Sequence, residues 1–122
     1  MKVLLGIGGA DDSIKALQKT IDRATATNDE LTVAIVENPN ADRTPNEVED
    51  AVQKYLDEAK LSATICHVEG DPGSRLVDIA ETEGYEEIVL GGGQTSPMGK
   101  IQIGQIAEFV LLNSHKTVTL VR

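Results

Sequence analysis

Val3 to Ile7 is a nearly unbroken apolar run, the pattern of a strand covered on both faces in the interior of a parallel sheet. Beyond Gly8-Gly9-Ala10 the period changes. Ile14, Leu17, Ile21 and Ala24 recur at helical spacing, and Asp11, Asp12 and Ser13 ahead of them offer capping side chains. Leu31 to Val36 is again a strand. After a polar stretch from Glu37 to Arg43, Thr44-Pro45-Asn46-Glu47 forms a capping box with proline at the first helical position. Val48, Val52, Tyr55, Leu56 and Ala59 mark the buried stripe of that second helix, and Ser62 to Val68 predicts a third strand. Asp71-Pro72 starts a third helix carrying Leu76, Val77 and Ala80, and Glu87 to Leu90 is a short fourth strand. Gly91 to Lys100 reads as a long glycine-bearing loop. Ile103, Ile106, Ala107, Val110 and Leu111 then predict one face of a fourth helix, and Thr117 to Val121 predicts a fifth strand.

Five strands alternating with four helices predict right-handed βαβ units and a doubly wound parallel sheet with helices on both faces, an α/β fold of Rossmann-like type. No linker, repeat or low-complexity tract interrupts the alternation, so residues 1–122 are expected to form one domain.

Composition narrows the partners. Phe109, Tyr55 and Tyr85 are the only aromatic residues, which leaves no platform for stacking bases, and a net charge of −9 with no basic run disfavours phosphate backbones and anionic membranes. The expectation is no nucleic-acid partner and no membrane partner. Such acidity suits concentrated salt, where repulsion is screened within a few ångströms. The apolar stretch at Met1 to Leu5 is too short for a signal peptide or a span, so a cytoplasmic location is expected. Cys66 is the sole cysteine, which excludes an internal disulfide and a thiolate metal cluster, and its apolar surroundings predict a structural thiol.

Ligands of such folds bind beyond the carboxyl ends of the strands, where strand order reverses, so the loops after strands one and four are the candidates. The segment GGGQTSPMGKIQIGQ, Gly91 to Gln105, supplies glycine amides and leads into the positive end of a helix, a combination suited to an anion such as phosphate. Glycines also serve turns and close packing, and that reading stands beside it. His67 and His115 have no carboxylate motif between them and read as exposed or capping residues. Asp11 and Asp12 suggest the acidic pair of phosphate-accepting receivers, but strand three ends in Val68-Glu69-Gly70 with no aspartate in place, and no lysine follows strand five. No serine, cysteine or threonine is spaced with a base, and no carboxylate pair flanks the glycine loop, so no catalytic and no metal-binding residue is nominated.

KVLLGIGGADDSIKAL, EGDPGSRLVDIAETEGYEEIVLGG and IGQIAEFVLLNSHKTVTLV resemble the opening strand and helix, the third helix and fourth strand, and the close of the universal stress proteins, a likeness that covers essentially the whole chain. It implies strand order 3-2-1-4-5, the adenine nucleotide alpha hydrolase-like arrangement, and a role in stress response without catalysis. ATP-binding members carry a glycine, two residues, a glycine, nine residues, then glycine followed by serine or threonine. Here that spacing falls on Gly91, Gln94, Gly104 and Gln105, so two of four signature residues are replaced. The acidic residue near the adenosine aligns with Gly8 and the serine two positions on with Ala10. The implied pocket comprises Ile7, Gly8, Gly9, Ala10, Val36, Leu90, Gly91, Gln94, Gly104 and Gln105. Three lost hydrogen bonds weaken binding by about 1.5–4.5 kcal/mol, and Gln94 puts a side chain where glycine admits a phosphate. The expected pocket is therefore degenerate or retuned, with ATP or another adenine nucleotide held at weakened affinity. Lys100, Thr95 and Ser96 together with Gln94 and Gln105 could serve a different anion. A nucleotide-sensing member is the alternative.

Strand five has no proline or internal charge, and a bare edge invites pairing with another chain. The resemblance independently implies a two-fold homodimer through residues 117–121. The alternative is a monomer whose edge is shielded by Lys116 and Arg122. Protein partners are expected as well.

Overall fold

The computed structural model describes residues 1–8, 11–37, 43–91, 94–95, 101–102 and 104–121, with the backbone alone at 11–12, 94–95 and 101–102. The elements run β1 (Lys2–Ile7), α1 (Asp11–Thr27), β2 (Glu30–Val36), α2 (Pro45–Ala59), β3 (Thr64–Val68), α3 (Pro72–Thr82), β4 (Glu87–Gly91), β5 (Gln94–Thr95), β6 (Ile101–Gln102), α4 (Gln105–Asn113) and β7 (Thr117–Val121). The main sheet has the order β3-β2-β1-β4-β7, all parallel, as expected for 3-2-1-4-5.

Because strand side chains alternate between faces, the apolar runs feed two separate cores. Val3, Leu5, Ile7, Val33 and Ile35 pack with Leu17 and Ile21 of α1 and Val48, Val52 and Leu56 of α2. Leu4, Ala34, Val36, Ile88 and Leu90 pack on the other face with Leu76 and Ala80 of α3 and Ala107 and Val110 of α4. Gly6 lets α3 come this near: a Cβ there would lie 2.8 Å from Leu76 Cδ1 and 2.9 Å from Leu90 Cδ2. Gly73 does the same between α3 and α4, since its Cβ would lie 2.8 Å from Phe109 Cδ1.

Polar pairs close the end of the sheet where the strands begin. Arg23 of α1 donates to buried Glu87 at 2.7 Å and pairs through Nε with buried Asp29 at 3.2 Å. Thr119 of β7 donates to the same Glu87 oxygen at 3.0 Å. The contacts with Glu87 and Asp29, led by the hydrogen bond that Arg23 donates to Glu87, raise the pKa of Arg23 above its ordinary value. Tyr85 donates its hydroxyl to Thr32 at 2.8 Å, and the ammonium of Lys2 lies over the Tyr85 ring.

The helix starts of α2 and α3 follow the sequence expectation. Thr44 and Glu47 form both bonds of the capping box, and Asp71 accepts from the Ser74 amide. Four details differ. The helix α1 begins at Asp11, so Asp11, Asp12 and Ser13 lie within it rather than ahead of it. Strand β3 begins at Thr64, two residues after Ser62. The segment expected to be a loop contains the antiparallel pair β5–β6, with Gln94 opposite Gln102 and Thr95 opposite Ile101. Finally, α4 begins after Ile103, which lies outside the described residues, and Leu111 is 40% exposed because the nine-residue helix is apolar on both faces. Leu112, 76% exposed, and Phe109, 38% exposed, complete that outer face.

Candidate nucleotide site at the carboxyl ends of the strands

The chain steps outward from β1 to β2 and β3, then returns to place β4 and β7 on the other side of β1. The reversal between β1 and β4 opens a crevice beyond the carboxyl ends of these strands. Ile7, Val36, Leu90 and Gly91 come together there, on the three adjacent strands β2, β1 and β4: Ile7 lies opposite Ile35, and Gly6 opposite Leu90. The side chains of Ile7, Val36 and Leu90 are buried in the two cores, so they form the floor and offer a ligand backbone rather than side-chain groups.

Gly8 leaves the strand partly buried, and its amide donates to the hydroxyl of Ser13 at 3.3 Å. That amide is therefore engaged within the protein, and Ser13 itself is buried. Ser13 was legible only as a generic cap; the closed loop back to Gly8 depends on α1 starting two residues before it.

All four helices following the parallel strands start at this end, and the first-turn amides make it electropositive. In α2 and α3 the chain satisfies one of them itself with a capping side chain. The side chain of Asp71 accepts from Ser74, which holds its carboxyl below the usual range. Glu47 is likewise lowered, chiefly by the backbone amide of Thr44. The N-cap of α4 is different: Gly104 has no side chain to bond the first turn, and among the described residues a Cβ there would meet nothing within 4 Å. Gln105 is the first residue of that helix and is exposed. Gln94 lies in β5, opposite Gln102. Gly9, Ala10, Ser96 and Lys100 lie outside the described residues.

Comparison with known proteins identifies the fold and its lineage. The model of the Universal stress protein family matches residues 1–122. The chain belongs to the universal stress protein family. A curated member from Methanocaldococcus jannaschii is 24% identical over 120 residues, which cover 98% of this chain and 64% of that relative. The chain thus spans a little under two thirds of the length of that relative. Among solved structures, a universal stress protein in complex with cAMP superposes with a TM-score of 0.78 at 21% identity, covering 100% of this chain and 96% of the other. The universal stress protein from Archaeoglobus fulgidus in complex with dAMP gives 0.73 at 18% identity, covering 100% and 98%.

Other expectations concern single residues. Cys66 is half-buried, and burial first, then the charge of Glu83, raises its thiol above the ordinary value. His67 is exposed and paired with Glu49, and His115 is exposed with its backbone amide on Glu81. Among the described residues no group of three or more His, Cys, Asp or Glu could hold a metal ion, and no helix is long and apolar enough to cross a membrane.

Proposed function

We propose that this universal stress protein binds an adenine mononucleotide at the crevice between β1 and β4 and acts as a non-enzymatic nucleotide sensor in stress response. The observation that carries this reading is the start of α4: Gly104 leaves the helix without a side-chain cap and with no neighbour within 4 Å of a Cβ among the described residues, whereas α2 and α3 are capped by their own residues. A phosphate supplies the acceptors that this helix lacks. With the side chains of Ile7, Val36 and Leu90 buried in the cores, the strand ends there offer backbone groups to the polar edge of a base. The cAMP and dAMP complexes of proteins of the same fold support an adenine nucleotide with one phosphate.

The replaced positions of the glycine signature favour a mononucleotide over ATP. Gln94 and Gln105 stand where glycine and a hydroxyl would accompany a longer phosphate chain, so ATP is held weakly. The same substitutions support a second reading, a degenerate pocket in a module that works through protein contacts. In either case the protein is a two-fold homodimer through β7, Thr117–Val121, whose side chains are exposed or half-buried except at Val121.

Calorimetric titration with AMP, cAMP and magnesium-ATP, at moderate and at high salt, separates the readings. The sensor reading expects AMP or cAMP to bind at least tenfold more tightly than ATP. Absence of heat with all three up to millimolar concentration discards it in favour of the partner-binding module.

A further inference from the structure

We propose that the free edge of β3 and the groove beside it take an extended peptide with basic ends as an added strand. The helices α3 and α4 cover only part of their face of the sheet. Beyond Leu76 and Ala80, a groove of about 590 Å³ remains between β3 and α3. Thr64, Cys66 and Val68 form its floor, and Ile79 and Tyr85 its apolar wall. A parallel sheet ordinarily covers both faces, so this uncovered strip is an exception within the fold.

Among the described residues the strand beside the groove has only β2 as a neighbour. Thr64–Val68 contains no proline and no lysine, the usual means of blunting an edge. An added strand gains main-chain hydrogen bonds along the edge, and its alternate side chains reach the groove. Small apolar residues suit the floor at Cys66.

Charge selects the occupant. Arg75 is paired with Asp78 at 2.8 Å and His67 with Glu49, so both basic side chains lining the groove are engaged. The carboxylates of Glu69 and Glu83 have no hydrogen bond or ion pair among the described residues. Glu69 follows the end of β3, and Glu83 follows the end of α3, which returns in the opposite direction; the two acids therefore stand at opposite ends of the groove. Five residues of strand separate these ends by about 17 Å. A second copy on this edge would bring the same carboxylates and another −9 of charge, whereas a peptide with a basic residue at each end neutralises both.

The probe is a fluorescein-labelled heptapeptide, Lys-Thr-Val-Thr-Val-Thr-Lys, whose two lysines and two valines share one face. Fluorescence anisotropy at low salt is expected to show saturable binding, and at least tenfold weaker binding when both lysines are glutamate. A Glu69→Gln, Glu83→Gln double variant with an unchanged urea midpoint loses about tenfold, the sum of two partly exposed ion pairs. N-methylation of both valines abolishes binding, and the bound peptide slows alkylation of Cys66 by iodoacetamide. Absence of saturable binding, equal affinity for the lysine and glutamate forms, or an unaltered Cys66 alkylation rate overturns the proposal. So does dissociation of a dimer by the peptide, which would assign this edge to a second copy.

Discussion

Arg23 Nη1 lies 2.7 Å from Glu87 Oε2, and this one contact joins α1 to the first residue of β4. Glu87 is 5% exposed, while the Arg23 side chain is about one-third exposed, so the pair falls between the surface and buried cases. Arg23→Met removes the charge facing both Glu87 and Asp29 and is expected to cost about 2–3 kcal/mol in urea unfolding. Thr119→Val, which removes only the neutral donor to Glu87, is expected to cost about 1 kcal/mol.

Gly73→Ala tests the contact of α3 with α4. The new methyl would meet not only the Phe109 ring but also Phe109 Cβ at 3.0 Å, an atom fixed to the helix backbone. A loss of about 1–3 kcal/mol is expected from overpacking. Because α4 must shift, AMP affinity should fall in the same variant, measured by calorimetry under conditions where it is fully folded.

Glu47, Asp71 and Glu81 are all more acidic in the folded chain than their ordinary values of 4.5, 3.8 and 4.5, each chiefly through a bond from a backbone amide. Groups of this sign stabilise the fold above their unfolded pKa and lose that contribution as the pH falls through the folded one. The thermal midpoint should therefore drop progressively below about pH 4.5. Asp71→Asn keeps a competent cap but no titrating charge, so its midpoint at pH 7 stays close to the parent and its acid loss is shallower.

Gln94→Gly with Gln105→Ser restores the glycine and hydroxyl of the family signature and is expected to raise ATP affinity about tenfold, as one or two recovered hydrogen bonds would. An unchanged ATP affinity in calorimetry would mean that the changes at Gly8 and Ala10 govern the pocket.

Leu112 lies on the exposed side of α4, the helix that contacts β7. Leu112→Glu should leave the stability of the monomer within about 0.5 kcal/mol. Sedimentation velocity should nevertheless show weaker dimerisation if β7 pairs across a two-fold axis, since each partner brings the same new charge to the interface.

The alternation of strands and helices was legible because each of the first four apolar runs of strand type leads to a capped or helically spaced segment, whereas the strand order was legible only through the family resemblance. Thr44-Pro45-Asn46-Glu47 and Asp71-Pro72 are strong signals because each capping bond spans only three residues. The pair β5–β6 was not legible: each strand has two residues, too few for an alternating pattern. The buried role of Glu87 was hidden for another reason. Its partners Arg23 and Thr119 lie 64 and 32 residues away and meet it only after the sheet has formed. At the crevice, the helical spacing counted Ile103 into α4, whereas Gly104 is the N-cap, and it could not show that Ser13 engages the Gly8 amide, because that bond depends on where α1 begins.

The cross-linked polar groups at Arg23, Glu87, Thr119, Tyr85 and Thr32 all lie away from the crevice, whose rim is formed by glycines and helix starts. Folding information and the proposed recognition rim thus lie at opposite poles of the sheet. Substitutions at that rim, such as those proposed at Gln94 and Gln105, are expected to retune the proposed pocket while the scaffold keeps its melting behaviour.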